Sequence, residues 1–284
     1  ARYTEKYWTV PAEKLSVDWI GNRLYRPSLE EVLFGAMTDQ TPPTYYLPEM
    51  FYPRRGGYRA VLDPLVERLD IRTGKEVVQI DPVRKVVECR DGSKDHYRLL
   101  VSSIPLPELI KMLTEVPPRV LEAASDLWAT GIALVSLGFK VPQAGNHLWF
   151  YIYDRHILPS RVHAPYLKSP DNAPPGCSSL QFETYFSRHR PLKLSEDHLV
   201  EHVVAATEKL GLASRQDLVV SDYRVLPYGN VVFDHGMTNK RDFILQYLEE
   251  LGIIPVGRFG LWDYLWTDQA FLSGKRLEKC SDML

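Results

Sequence analysis

Between residues 131 and 235 the chain runs through five segments rich in β-branched and aromatic residues. They read "GIALVSLGFKV", "HLWFYIYD", "SSLQFETYFS", "LVVSDYRVLP" and "NVVFDH". Such runs fit a pleated, half-buried surface, and their succession predicts a mostly antiparallel sheet with covering helices. One helix, "SEDHLVEHVVAATEKLG", interrupts them, with Ser195 as cap, acids in the first turn and Gly211 as stop. A second, "NKRDFILQYLEELG", follows the strands, with Asn239 as the expected cap and Gly252 as stop.

The flanks have a different character. "RPSLEEVLFGAM" predicts a helix capped by Ser28, with Glu31 three residues on and Leu29, Val32, Leu33 and Ala36 on one face. A Pro-rich stretch, "TPPTYYLPEMFYPRR", then predicts extended chain up to Gly56 and Gly57. In "YRAVLDPLVERL", Val61, Leu62, Leu65, Val66 and Leu69 recur at helical spacing, and Pro64 is expected to end or kink that helix. Residues 76–104 read as strands, "EVVQID", "KVVECRDG" and "YRLLVSSIPL", with an Asp91-Gly92 turn between the second and third. Helices are expected around 106–114 and 118–128, the second opened by Pro117-Pro118.

Near the C-terminal end, "GRFGLWDYLWTDQAFLSG" (257–274) gathers glycines, an arginine, aromatics and an aspartate at a helix start. Glycine allows close backbone approach, a helix start offers unpaired N–H groups to an anion, and aromatic rings give flat apolar surface. Together they suit a large, flat, phosphate-bearing ligand. The alternative is a Gly-rich turn feeding an ordinary core helix.

The formal charge of −2 over 284 residues gives no electrostatic reason to expect nucleic acid or an anionic membrane as partner. No apolar run approaches membrane-spanning length, and "ARYTEKYWTV" reads as the interior of a domain, without the basic-then-apolar pattern of a leader. Cys89, Cys177 and Cys280 lie far apart, so a reduced, cytoplasmic setting is expected. His198, Glu201 and His202 match the H-x-x-E-H pattern of a zinc hydrolase, but they start an amphipathic helix whose Leu199–Val203 side is expected to be buried. A solvated face with no bound metal is the preferred reading.

The order of these segments resembles the flavin-dependent amine oxidase and protoporphyrinogen oxidase superfamily, and within it the UDP-galactopyranose mutase-like branch. "YTEKYWTVPAEKLSVDWIGNRL" is similar to a family segment in which Tyr-x-x-Lys-x-Trp leads to Leu-Ser-x-x-Trp and then an arginine. "FYPRRGGY" resembles a Tyr-Pro and Gly-Gly stretch leading into a helix, and the strands ending in "SSIPL" resemble the family's Val-x-x-Ile strand, Asp-Gly turn and Ile-Pro end. "GRFGLWDY" resembles its C-terminal flavin motif.

The resemblance implies an FAD cofactor and roles for individual residues. Val77 would present its backbone to the adenine end, and Ser103, Ile104 and Pro105 would border the cofactor where their strand ends. Gly257 and Arg258 would approach the pyrophosphate and ribityl chain, and Asp268, Gln269 and Ala270 would face the isoalloxazine. Gly56 and Gly57 would let the backbone pass the flavin face. For a small-molecule substrate, a nucleotide sugar by the same resemblance, the implied residues are Arg161, Glu183, Tyr185, Tyr228 and Tyr264. Arginine's planar fork suits a diphosphate and tyrosine can stack on a base or sugar. A paired Arg–Glu and ordinary sheet tyrosines are the alternative.

Family members carry G-x-G-x-x-G on a strand–turn–helix that binds the pyrophosphate, and this sequence has no Gly-x-Gly anywhere. The expectation is therefore an α+β chain with a partial, Rossmann-like FAD-binding domain, a fragment or natural truncation. Residues 1–50 would border the substrate site, 51–115 and 256–284 would make the partial FAD domain, and 116–255 the antiparallel substrate domain. The surface left by the absent half would be covered by self-association or a partner chain. A binding or scaffolding protein that keeps the sheet and no longer binds flavin is the other reading.

Overall fold

The computed structural model describes residues 2–17, 19–20, 27–38, 49, 51–275 and 277. Arg23, most of the Pro-rich stretch and Cys280 lie outside the described residues. Two helices, α1 (Arg2–Trp8) and α2 (Leu29–Met37), come first, and a short α3 (Asp63–Val66) follows. Strands β1 (Val77–Asp81), β2 (Val86–Cys89) and β3 (Lys94–His96) make an antiparallel meander. Asp91-Gly92 turns β2 into β3, where Gly92 takes φ +80°. β4 (Leu100–Ser102) then feeds α4 (Leu106–Met112) and α5 (Pro118–Asp126).

The chain continues through β5 (Ala129–Phe139), β6 (Trp149–Tyr151), β7 (Arg161–His163), α6 (Pro165–Lys168), β8 (Ser178–Phe186), α7 (Glu196–Lys209) and β9 (Leu218–Val231). It closes with α8 (Met237–Glu250), β10 (Ile253–Pro255), α9 (Gly257–Gly260) and α10 (Thr267–Lys275). The result is the expected mixture of helices and antiparallel sheet.

The largest sheet has five antiparallel strands in the order β6-β7-β8-β5-β9. Alternation divides it into two faces. Ala133, Val135, Leu137, Val162, Leu180 and Phe182 are buried together with Leu199 and Val203 of α7. A fully buried side chain of this size stabilises by about 1.5–3 kcal/mol. The opposite face carries Leu134, Ser136, Tyr151, Arg161, His163, Gln181, Glu183 and Arg224, and helix α1 packs over part of it.

A second core joins Ile80, Leu106, Leu109 and Ile110 to Ile244, Leu248, Ile253 and the fully buried Trp262. It takes in α5 and α8, from within the 116–255 stretch. Here β4 and β10 run parallel, with Leu100, Val101 and Ser102 beside Ile253, Ile254 and Pro255.

Several sequence expectations change. The α8 helix begins at Met237 behind Gly236, not at Asn239, because the Asp234 carboxylate already turns the chain by accepting from the Gly236 N–H at 3.0 Å. The two expected segments 218–227 and 230–235 form one strand up to Val231, with a register shift between Leu226 and Asn230. β7 is a strand of only three residues, too short to announce itself by alternation. "YRAVLDPLVERL" is a 3-10 turn (Tyr58–Val61) followed by α3, with Pro64 inside the first turn of α3, where a missing N–H costs nothing. The capping box of α2 forms as expected between Ser28 and Glu31, but its apolar side is open, with Leu29 73% exposed.

Candidate functional site

The open face of the five-stranded sheet is organised around one carboxylate. Arg161 and Glu183 are register partners on β7 and β8, so both side chains rise from the same face. Arg161 Nε and Nη2 donate to the two Glu183 oxygens at 2.8 and 2.7 Å, a bidentate pair. Tyr185, two residues along β8, donates its hydroxyl to Glu183 Oε2 at 2.5 Å. His163 Nε2 lies 3.3 Å from Glu183 Oε1 and 3.1 Å from Gln181 Oε1. Both partners accept, so Nε2 carries the proton. Gln181 donates in turn to Ser136 Oγ at 3.1 Å.

This environment shifts the titrating groups in a consistent way. Burial works against the Arg161 charge, and the Tyr185 and Glu183 oxygens outweigh it, holding the guanidinium above its ordinary value. Burial drives the Tyr185 hydroxyl well above its ordinary value, assisted by Tyr7 and Glu183. Burial also lowers His163 and Lys168, the latter assisted by the nearby Arg161 charge. At neutral pH the cluster therefore presents a fixed arginine charge and neutral phenols.

Helix α1 lies over this face because Tyr3 and Tyr7 are one turn apart on it. Tyr7 packs against Tyr185 with ring centroids 4.4 Å apart, and Tyr3 meets Tyr151 edge-on at 5.4 Å. Lys6 anchors the helix by donating to the Ile152 and Asp154 carbonyls at 2.8 and 3.0 Å. Burial lowers its ammonium pKa to about 8.

The C-terminal motif reaches the same place from the other side. The hydroxyls of Tyr7 and Tyr264 are 3.4 Å apart. The Arg258 guanidinium sits over the Tyr264 ring at 4.3 Å and donates to Asn230 Oδ1 at 2.7 Å and Leu265 O at 3.0 Å. Beneath it, Val256 N–H donates to Ser102 O at 2.9 Å, continuing the β4–β10 pairing. Gly260 lies directly on the backbone after β4. A Cβ there would stand 2.8 Å from Ser102 O and 3.3 Å from Ser103 Cα. The loop Ser103–Pro105 and the Gly257–Gly260 turn are thus in contact.

Arg161, Glu183 and Tyr185 come together, and Tyr264 joins them through Tyr7. Tyr228 does not. Its hydroxyl donates to Glu108 Oε1 of α4 at 2.7 Å, and its ring faces Phe259 and Trp262. Val77 opens β1 and packs against the core that holds Trp262. Ile104 N–H is held by Ser102 Oγ at 3.3 Å, and Pro105 precedes α4. Gly257, at φ +74°, has open space where a Cβ would stand, and its N–H donates to Ser273 Oγ at 2.8 Å. Gln269 caps α10 by accepting from Trp266 N–H at 2.9 Å, while Asp268 is exposed and Ala270 half-buried in its first turn. Gly56 and Gly57 take φ +78° and +66°, and Gly56 N–H donates to Asp171 at 3.1 Å, which docks this turn beside α6.

The H-x-x-E-H residues are otherwise engaged. Glu201 pairs with Arg215, His198 with Ser195, and His202 is half-buried and accepts from Leu158 N–H at 3.0 Å. Among the described residues no cluster could hold a metal. Tyr7, His163 and Asn230 are the site residues the sequence reading missed. The strand register pairs His163 with Gln181, and the i, i+4 spacing of Tyr3 and Tyr7 is the other available signal.

Two buried donors beside the C-terminal motif, Arg258 Nε and Asn230 Nδ2, have no partner among the described residues. Unpaired buried donors call for an acceptor-rich group, and a flavin edge or a phosphate fits them. A Gly-rich pyrophosphate cradle is not among these residues.

Comparison with known proteins agrees with this architecture. The family described as flavin containing amine oxidoreductase matches residues 5–272. Among solved structures, reduced UDP-galactopyranose mutase superimposes with a TM-score of 0.80 at 22% identity, covering 93% of this chain and 58% of that one. An Exiguobacterium sp. 255-15 protein assigned as a protoporphyrinogen oxidase gives 0.62 at 16% identity, covering 79% and 50%. A fatty acid isomerase of P. acnes that produces CLA gives 0.57 at 10%, covering 78% and 52%. The likeness is one of fold, and the chain spans 50–58% of the length of these proteins. No helix among the described residues is long and apolar enough to cross a membrane.

Proposed function

The chain belongs to the flavin containing amine oxidoreductase family, and from that membership we propose that it forms the substrate-binding sheet and the C-terminal part of the flavin site of an FAD-dependent oxidoreductase or mutase. The observation that supports this reading is the contact of Gly260 with Ser102 and Ser103, which joins the Gly257–Gly260 turn to the loop that follows β4. The whole FAD site needs a Gly-rich segment that this sequence does not contain, so the chain acts as part of a larger assembly or a longer reading frame.

When bound, the flavin would supply hydride or electron transfer, or a nucleophilic ring nitrogen. The chain's own residues bind and orient. Arg258 Nε and Asn230 Nδ2 would donate to the cofactor's ribityl or phosphate oxygens. Arg161 spends Nε and Nη2 on Glu183, which locks the planar fork and leaves Nη1 as a directed donor. With Lys168 nearby, that edge suits an anionic substrate such as the diphosphate of a nucleotide sugar. Tyr151, 42% exposed, and the half-buried Tyr3 offer flat surface for a base or sugar, and Tyr185 and Tyr7 beneath them, with hydroxyls raised by burial, stay protonated.

The test is flavin content and its response to substrate. Protein expressed in its full reading frame should carry flavin, and UDP-galactose should perturb the bound flavin's visible spectrum. Arg161→Ala should weaken that perturbation while flavin stays bound. Full-length protein that never retains flavin would favour the non-redox binding reading.

A further inference from the structure

Strand β9 is the outer strand of the five-stranded sheet. Its inner edge pairs with β5 without interruption from Ile132–Leu226 to Gly138–Val220, and the register shifts at both ends of that run. Val220–Leu226 is therefore a straight stretch of seven residues bounded by irregularities. Its outward N–H and C=O groups find no partner among the described residues. Every residue in it except the half-buried Tyr223 is exposed. A regular edge of this kind, uncovered among the described residues, is a template for another strand.

The stretch reads Val-Ser-Asp-Tyr-Arg-Val-Leu, and its chemistry is nearly palindromic about Tyr223. We propose that this edge pairs antiparallel with the same edge of a second copy of the chain, on a two-fold axis through Tyr223. Asp222 then faces the partner's Arg224, Arg224 faces the partner's Asp222, and Val220 faces the partner's Leu226. Ser221 faces the partner's Val225 on the other side of the sheet.

Neighbouring registers fail on charge. Centring on Asp222 sets it against the partner's Asp222, and centring on Arg224 does the same for arginine. Like charges directly opposite destabilise a strand pair and opposite charges support it. Within one chain Arg224 Nε reaches Asp222 Oδ2 at 2.9 Å, but the two side chains are 72% and 50% exposed, so that pair is weak and free to be exchanged. Pro227 limits the ladder at its end, having no N–H to donate. A two-fold axis perpendicular to the sheet makes one continuous sheet from the five strands of each copy and puts both open, tyrosine-bearing faces on the same side. This surface is independent of the flavin reading.

The experiment is light scattering on the full chain across a concentration series, with charge reversals at the edge. Wild type should dimerise. Asp222→Arg and Arg224→Asp should each weaken the dimer by about tenfold or more, since each sets like charges in both contacts. The double variant D222R/R224D restores opposite charges and should restore the dimer. A chain with Ser221→Cys and Val225→Cys together should cross-link into dimers on mild oxidation far faster than either single variant. A wild type that stays monomeric would overturn the proposal. So would an association indifferent to the single reversals, or a double variant that stays dissociated.

Discussion

Arg161 and Glu183 face each other across the β7–β8 pair and are joined by two hydrogen bonds of 2.8 and 2.7 Å, with the Glu183 side chain 5% exposed. Removing Arg161, whose own side chain is 30% exposed, leaves the buried Glu183 carboxylate without compensation. Arg161→Met should cost about 3 kcal/mol in denaturant unfolding, whereas Arg161→Met with Glu183→Leu should cost far less. Equal losses in the two would mean that the pair is already screened by water.

The two phenols that differ in surroundings should differ in consequence. Tyr228 serves α4 through Glu108, so Tyr228→Phe should cost about 1 kcal/mol of stability and leave ligand affinity unchanged. Tyr185 serves Glu183 on the open face, so Tyr185→Phe should weaken nucleotide-sugar binding by calorimetry.

At Gly260 the crowding is against backbone, which cannot rotate away. Gly260→Ala should destabilise by about 1–3 kcal/mol through overpacking on Ser102. Gly257→Ala meets no atom but forces a left-handed backbone on a Cβ, at about 1–2 kcal/mol. Urea midpoints measure both.

His163 gives a pH signature. Burial lowers its pKa below the ordinary 6.5, against the pull of Glu183 and with Lys168 and Arg161 adding repulsion. The unfolded chain therefore binds a proton more readily than the folded one. Stability should fall as pH drops below about 6.5, and His163→Gln should remove that part of the loss. The wild-type minus variant difference, followed by denaturant midpoints from about pH 7 to pH 5, should become less favourable to wild type. A flat difference would contradict it.

Much of the fold could be read from local chemistry. The strand runs, the Asp91-Gly92 turn, and the Ser28 and Ser195 caps state their geometry within a few residues. What could not be read depends on distance along the chain. Tyr7 and Tyr264 meet across 257 residues, and only the β4–β10 pairing and the seating of α1 make them neighbours. The family resemblance points to Arg161 and Glu183, but their hydrogen bonding follows from a three-residue strand that no periodicity betrays. Tyr228 misled because strand position does not reveal which core its side chain enters. The apolar spacing in α2 and 61–69 misled differently: it is real, yet those faces are uncovered, with Leu33 and Leu69 51% and 62% exposed.

The most direct measurement is photolabelling with FAD that carries an azide on its isoalloxazine ring, using the chain in its full reading frame. Label should fall, competitively with unmodified FAD, on peptides that contain Ser103–Pro105 and the 257–270 segment. Saturable label confined to other peptides would mean that these segments do not border the flavin together.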